Sequence, residues 1–181
     1  SSSGALTGLR SGTAQVVASA GTKADTASVR ILPRPAAVTI SPDTAWWVSL
    51  GQEIQLAAAV VDPRGDPISG EAVTWSVASP ALLQSLGSGR FRALSNGVTS
   101  ITVTSVSNPA LSASALAVVR QAPVRVEVEP EAANLFSLAD TLRFRAVGFD
   151  ARDNPIPDGL FLWSSSEPGV ATVDEEGLAT R

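Results

Sequence analysis

The sequence predicts an all-β chain of tandem two-sheet sandwich domains, and three observations carry that prediction. Short runs alternate apolar and polar residues, one residue pattern recurs at a constant shift of 88 positions, and no segment sustains the 3.6-residue apolar period of a helix. Alternation with period two sends successive side chains to opposite faces of a strand, so each run can bury one face and wet the other.

The repeat sets the domain count. Val38-Thr39-Ile40-Ser41-Pro42 matches Val126-Glu127-Val128-Glu129-Pro130. The same shift aligns Ser49-Leu50 with Ser137-Leu138, Asp62 with Asp150, Pro67-Ile68 with Pro155-Ile156, and Trp75-Ser76 with Trp163-Ser164. Gly89 recurs at Gly177, and upstream at Gly4 with a shift of 85. The 181 residues therefore sample three domains. Residues 1–33 are the C-terminal strands of a first, 34–121 a complete one, and 122–181 the N-terminal part of a third that lacks its last strands. The joints Leu32-Pro33-Arg34-Pro35-Ala36 and Arg120-Gln121-Ala122-Pro123 place prolines where a strand ends, since proline donates no ladder hydrogen bond. Short, stiff joints favour an extended row of domains.

In chain order, Gly12 to Val17 and Ala27 to Leu32 are the closing strands of the first domain. Ala36 to Pro42, Ile54 to Val60 and Ser100 to Val106 alternate as strands of the second, and Val124 to Glu129 and Leu142 to Val147 as strands of the third. Asp62-Pro63-Arg64-Gly65-Asp66-Pro67 and Asp150-Ala151-Arg152-Asp153-Asn154-Pro155 are turn-rich connections between strands. A tryptophan in the middle of each repeat, Trp75 and Trp163, fits a sandwich of about 90 residues with a buried ring at its centre.

Composition narrows the function. The chain is 44% hydrophobic and 17% charged, enough to build cores. It contains no His and no Cys. It therefore has no imidazole base, no thiol nucleophile and none of the usual zinc or iron ligands, so the expectation is a protein that is not an enzyme and needs no cofactor. A net charge of −4 with Lys23 as the single lysine among 13 basic residues argues against nucleic acid as a partner, because phosphate binding needs clustered cations. No run is long and apolar enough to cross a bilayer as a helix.

The segments Val73-Thr74-Trp75-Ser76, Leu162-Trp163-Ser164-Ser165-Ser166-Glu167-Pro168-Gly169-Val170-Ala171-Thr172-Val173-Asp174 and Gly177-Leu178-Ala179-Thr180 resemble the bacterial immunoglobulin-like domain, group 2. So do Gly12-Thr13-Ala14-Gln15-Val16 and Gly97-Val98-Thr99-Ser100-Ile101. The resemblance covers essentially the whole chain. It is closest in the C-terminal repeat and departs at Pro80-Ala81-Leu82-Leu83-Gln84, where the valine-alanine-threonine strand should stand. It implies tandem immunoglobulin-like sandwiches, an extracellular or cell-surface bacterial location, and work as spacers or adhesins of the intimin and invasin kind. The partners expected are neighbouring immunoglobulin-like domains or copies of the chain, with host or cell-surface proteins or glycans as alternatives, the last for a carbohydrate-binding module using Trp46 or Trp47.

Trp46-Trp47 has Asn134-Leu135 as its counterpart in the next repeat, so the pair is not demanded by the fold; alternation must turn one ring outward, giving Trp46 and Trp47 as the candidate interaction surface. Arg64-Gly65-Asp66 spells an integrin-recognition tripeptide, yet Gly and Asp are ordinary turn residues. Asp150, Asp153 and Asp158 surround one loop and Asp174-Glu175-Glu176 forms another acidic cluster. Both read as solvated turns, with calcium at these acidic loops the minority alternative because neither has a metal-loop spacing. Ser1-Ser2-Ser3 and Ser164-Ser165-Ser166 are turn and edge positions, and without His there is no base to activate them. The incomplete first and third domains leave two expectations open: a window from a longer array, or head-to-tail strand sharing between copies.

Overall fold

The computed structural model describes residues 4–9, 12–138, 140–157 and 159–180. Among these residues all regular structure is strand. In chain order the strands are β1 (Gly12–Ala20), β2 (Lys23–Ile31), β3 (Ala37–Ser41), β4 (Thr44–Trp47), β5 (Glu53–Gln55), β6 (Ala57–Val61), β7 (Val73–Val77), β8 (Leu83–Gly87) and β9 (Arg90–Ala93). There follow β10 (Gly97–Ser105), β11 (Ser112–Val119), β12 (Arg125–Glu129), β13 (Thr141–Arg143), β14 (Arg145–Phe149), β15 (Pro155–Ile156), β16 (Thr172–Val173) and β17 (Leu178–Thr180).

The middle unit is a two-layer sandwich. One layer holds the pair β3-β6 and the row β5-β9-β8, and the other holds the row β4-β11-β10-β7. Strands β3 and β4 are two halves of one entering strand, bent at Pro42-Asp43. The first half lies antiparallel to β6, and the second crosses to the opposite layer and runs parallel to the last strand, β11. Strands β5 and β6 are likewise one strand interrupted at Leu56, where the Leu56 amide turns to the Gly89 carbonyl at 2.9 Å. Merging these halves gives A-B-E-D against A′-G-F-C, the strand order of an immunoglobulin-like sandwich.

Trp47, Leu56, Phe91, Ile101 and Val119 form the core between the layers. Trp75 stands at its edge, half-buried, with its ring edge-on to Phe91 at 5.8 Å between centroids. Gly89 is required at its position. Its φ is +78°, and a Cβ there would lie 2.5 Å from the Leu56 carbonyl oxygen and 2.8 Å from the Trp75 ring.

The C-terminal unit uses the same plan in the same register. Glu53↔Arg92 and Ile54↔Phe91 in the middle unit become Thr141↔Thr180 and Leu142↔Ala179, and Val38↔Val60 becomes Val126↔Gly148. Gly177 repeats the close approach, with φ +79° and a virtual Cβ 2.7 Å from the Phe144 carbonyl oxygen and 3.0 Å from Trp163. Even the departure at Pro80–Gln84 keeps its pairing: Gln84↔Arg92 corresponds to Thr172↔Thr180. A bulge lies between Ser85 and Gly87.

Two expectations need correction. The continuous strands read at Ile54 to Val60 and Leu142 to Val147 are broken at Leu56 and Phe144, because each amide there bonds a glycine carbonyl of the facing hairpin, Gly89 at 2.9 Å and Gly177 at 2.8 Å. The tryptophan strand of the last repeat, around Leu162 to Ser165, joins no ladder among the described residues; Trp163 leans on Phe144 at 6.4 Å, while Leu160 and Leu162 are fully exposed. At the other end, β1 and β2 form a hairpin in register from Gly12↔Ile31 to Ala20↔Lys23, with every β1 residue exposed.

Candidate functional site

Asp150, which the sequence places in a solvated turn, is 1% exposed and buried. Its two carboxylate oxygens divide the labour. Oδ1 closes its own loop, accepting the amides of Arg152 at 2.8 Å and Asn154 at 3.1 Å. Oδ2 faces the middle unit, accepting the Leu50 amide at 2.9 Å and the Gln121 side-chain amide at 3.0 Å. Asn154 adds a return contact, its Nδ2 donating to the Leu50 carbonyl at 3.1 Å.

Each partner is itself positioned. Leu50 lies in the turn Ser49 to Gln52, held by Gly51 (φ +74°) and by the Gly51 amide on the Ala93 carbonyl at 2.8 Å. Gln121 follows β11. The chain there stays alongside the Trp47-Val48 strand, with the Arg120 and Ala122 amides on the Trp47 and Val48 carbonyls at 2.9 Å each. Asn96 clamps Gln121 from the other side: its Oδ1 accepts the Gln121 amide and its Nδ2 donates to Gln121 Oε1, both at 2.9 Å.

Among the described residues no cation pairs with Asp150, and a buried carboxylate is costly unless N–H donors replace its water shell. Burial alone would raise the Asp150 pKa. The donors from Arg152, Leu50, Gln121 and Asn154 outweigh burial and lower it to about 2. Asp150 is therefore an anion at neutral pH, held by amides from both sides of the joint.

The other sequence candidates separate cleanly. Trp47 is fully buried, its Nε1 donating to the Phe91 carbonyl at 3.4 Å, and so leaves the candidate surface. Trp46 is 58% exposed on the outer face of the β4-β11-β10-β7 layer. It sits laterally opposite Val118, which sits opposite Val98, and exposed Leu116 flanks them. The rest of that face is hydroxylic, with Thr102 and Ser114 hydrogen-bonded at 3.0 Å.

Arg64-Gly65-Asp66 occupies a tight turn in which Gly65 takes φ +86°. Its counterpart is Arg152-Asp153-Asn154, with Asp153 at φ +58°. Asp174 Oδ1 is engaged by the Glu176 and Leu178 amides at 2.9 and 2.8 Å, and Glu176 pairs with Arg143 at 3.2 Å. Asp153 pairs with Arg125 at 3.1 Å. Among the described residues no group of three or more metal-ligating side chains comes together. Asp158, Ser1, Ser2 and Ser3 lie outside the described residues.

No protein-family model matches the chain, and no curated protein matches it. Among solved structures it is similar to domains 4 and 5 of the S-layer protein SbsC, at 18% identity and TM-score 0.44, over 61% of this chain and 66% of that one. It is similar to the Yersinia pseudotuberculosis adhesin InvE at 17% identity and TM-score 0.37, over 63% of this chain and 34% of that one. Invasin, a bacterial integrin-binding protein, is similar at 14% identity and TM-score 0.42, over 82% of this chain and 34% of that one. The chain thus spans about a third of the length of each of these two. These are likenesses of strand arrangement alone.

Proposed function

We propose that the chain is a non-catalytic module of an extracellular bacterial surface protein, a group 2 immunoglobulin-like array that works as a stalk holding its neighbours at set orientations. The observation carrying this reading is the Asp150 joint. A spacer on a flexible string needs no buried carboxylate between its beads, whereas a spacer that transmits direction needs a joint whose hydrogen bonds are directional and shielded from water. The composition agrees, since it offers no His or Cys for chemistry. Small-angle scattering on the purified chain tests the reading: an elongated particle is expected, and a compact particle with the radius of a globular protein of this length overturns it.

A second reading, favoured by the outward Trp46 beside a hydroxyl-rich sheet face, is that this face binds a surface protein or a glycan. Trp46→Ala, which spares the core, is the variant that would abolish such binding in a glycan array or pull-down from host cells; no binding by the parent chain removes the reading.

A further inference from the structure

We infer that the middle unit pairs with a second copy of itself through the free edge of β7. This strand ends the row β4-β11-β10-β7. The Ala78 amide donates to the Ser100 carbonyl and the Val106 amide to the Ala72 carbonyl, each at 3.0 Å, and between them the ladder sets Val77, Trp75 and Val73 against Ile101, Val103 and Ser105. Residues of an antiparallel pair alternate between those that bond across and those that do not. The even-numbered residues here bond to β10, so Val73, Trp75 and Val77 turn their N–H and C=O groups to the other side. Among the described residues no strand pairs with that side. An open recess of about 530 Å3 lies beside Ala72, Val73 and Trp75, giving a strand access to them.

Such an edge is ordinarily guarded by a charge, a proline or a bulge, because its unpaired groups template another strand. Residues 72–78 carry none of these. They are instead nearly symmetric: Ala72-Val73-Thr74-Trp75-Ser76-Val77-Ala78 reads almost alike in both directions about Trp75. Two such edges laid antiparallel about a two-fold axis at Trp75 set Trp75 against the partner's Trp75, Val73 against the partner's Val77, and Thr74 against the partner's Ser76. The Trp and Val pairs are those whose backbone groups are free, and each exchanges both N–H···O bonds. Their side chains already pack into the unit's own core, so pairing leaves the core unchanged. The Thr–Ser pairs extend the outer hydroxyl face on which Thr102 meets Ser114, and cross-strand hydroxyl pairs stabilise a sheet. Glu71, the charge that adjoins this run, falls opposite the partner's Ser79 and meets no like charge. The symmetry selects a second copy over an unrelated strand, because a two-fold contact requires one patch to complement itself.

On the surface-stalk reading the contact has a direction. Strands run between the two ends of a unit, so antiparallel edges bring two rows together pointing opposite ways, as stalks from two facing surfaces do. The edge is then a contact between like stalks, weak singly and strengthened where several rows meet. That consequence rests on the stalk reading; the pairing rests on the middle unit alone, so its failure leaves the stalk reading standing.

Sedimentation velocity on the chain is expected to show a monomer–dimer equilibrium as concentration rises to ~1 mM. Hydrogen exchange at the Val73, Trp75 and Val77 amides is expected to slow several-fold as the dimer fills. Thr74→Lys with Ser76→Lys changes two exposed residues and sets like charges against each other across the axis. This variant is expected to melt like the parent and stay monomeric, as is Thr74→Glu with Ser76→Glu. Mixed in equal amounts, the two variants are expected to form a heterodimer, since each Lys then faces a Glu. A parent chain that stays monomeric at ~1 mM, a Lys variant that dimerises like the parent, or a mixture of folded variants that stays monomeric overturns the inference.

Discussion

The carboxylate of Asp150 accepts the backbone amide of Leu50 at 2.9 Å, a hydrogen bond between residues 100 positions apart that joins two sandwiches. It is buried, directional and shared with Gln121, so it ties the stability of one unit to the orientation of the next.

Replacing Asp150 with Ala leaves the Leu50, Arg152 and Asn154 amides without their acceptor. Buried donors left unpaired cost about 1–3 kcal/mol, and more when the lost partner was charged. Asp150→Ala is expected to lower the urea midpoint of the C-terminal unit by an amount in that range and to uncouple its unfolding from that of the middle unit. Separate tryptophan-fluorescence and circular-dichroism transitions are the readout.

Acid should open the same joint. The folded Asp150 pKa lies near 2 against an ordinary 3.8. Its contribution is therefore fully present above about pH 4 and is lost as pH falls toward 2. A depression of this size corresponds to about 2 kcal/mol. The parent chain is expected to lose coupling between units in that window, while Asp150→Asn, already lacking the charge, shows a flatter acid profile.

Trp46 and Trp47 are adjacent in sequence and opposite in role. Trp47→Ala removes a fully buried ring and is expected to cost about 3–5 kcal/mol, the range for large-to-small changes in a core. Trp46→Ala removes a 58% exposed ring and is expected to change stability by less than about 1 kcal/mol. Thermal melts of the two variants decide between them.

Gly89→Ala forces a Cβ to within 2.5 Å of the Leu56 carbonyl oxygen at a left-handed φ of +78°. Strain of this kind costs about 1–3 kcal/mol, and the clash displaces Trp75 as well. The expected signature is a lower melting temperature together with altered near-ultraviolet circular dichroism from that ring.

The strands, the repeat and the tryptophans were legible because each leaves a one-dimensional trace: alternation, a constant shift, and a large ring at a fixed place. The outward turn of one ring at Trp46-Trp47 followed from period two alone. The breaks at Leu56 and Phe144 were not legible, since they depend on a glycine carbonyl more than 30 residues away. Nor was the joint. Asp150 looked like any turn aspartate because Asp62 forms the same loop; only the partners beyond the loop, Leu50 and Gln121, distinguish a solvated turn from a buried latch.

Residual dipolar couplings measured on the isotopically labelled chain in a weakly aligning medium test the latch most directly. If Asp150 fixes the joint, amides of residues 37–119 and 125–180 share one alignment tensor in the parent chain and acquire two distinct tensors in Asp150→Ala. Two tensors already present in the parent chain would contradict the account.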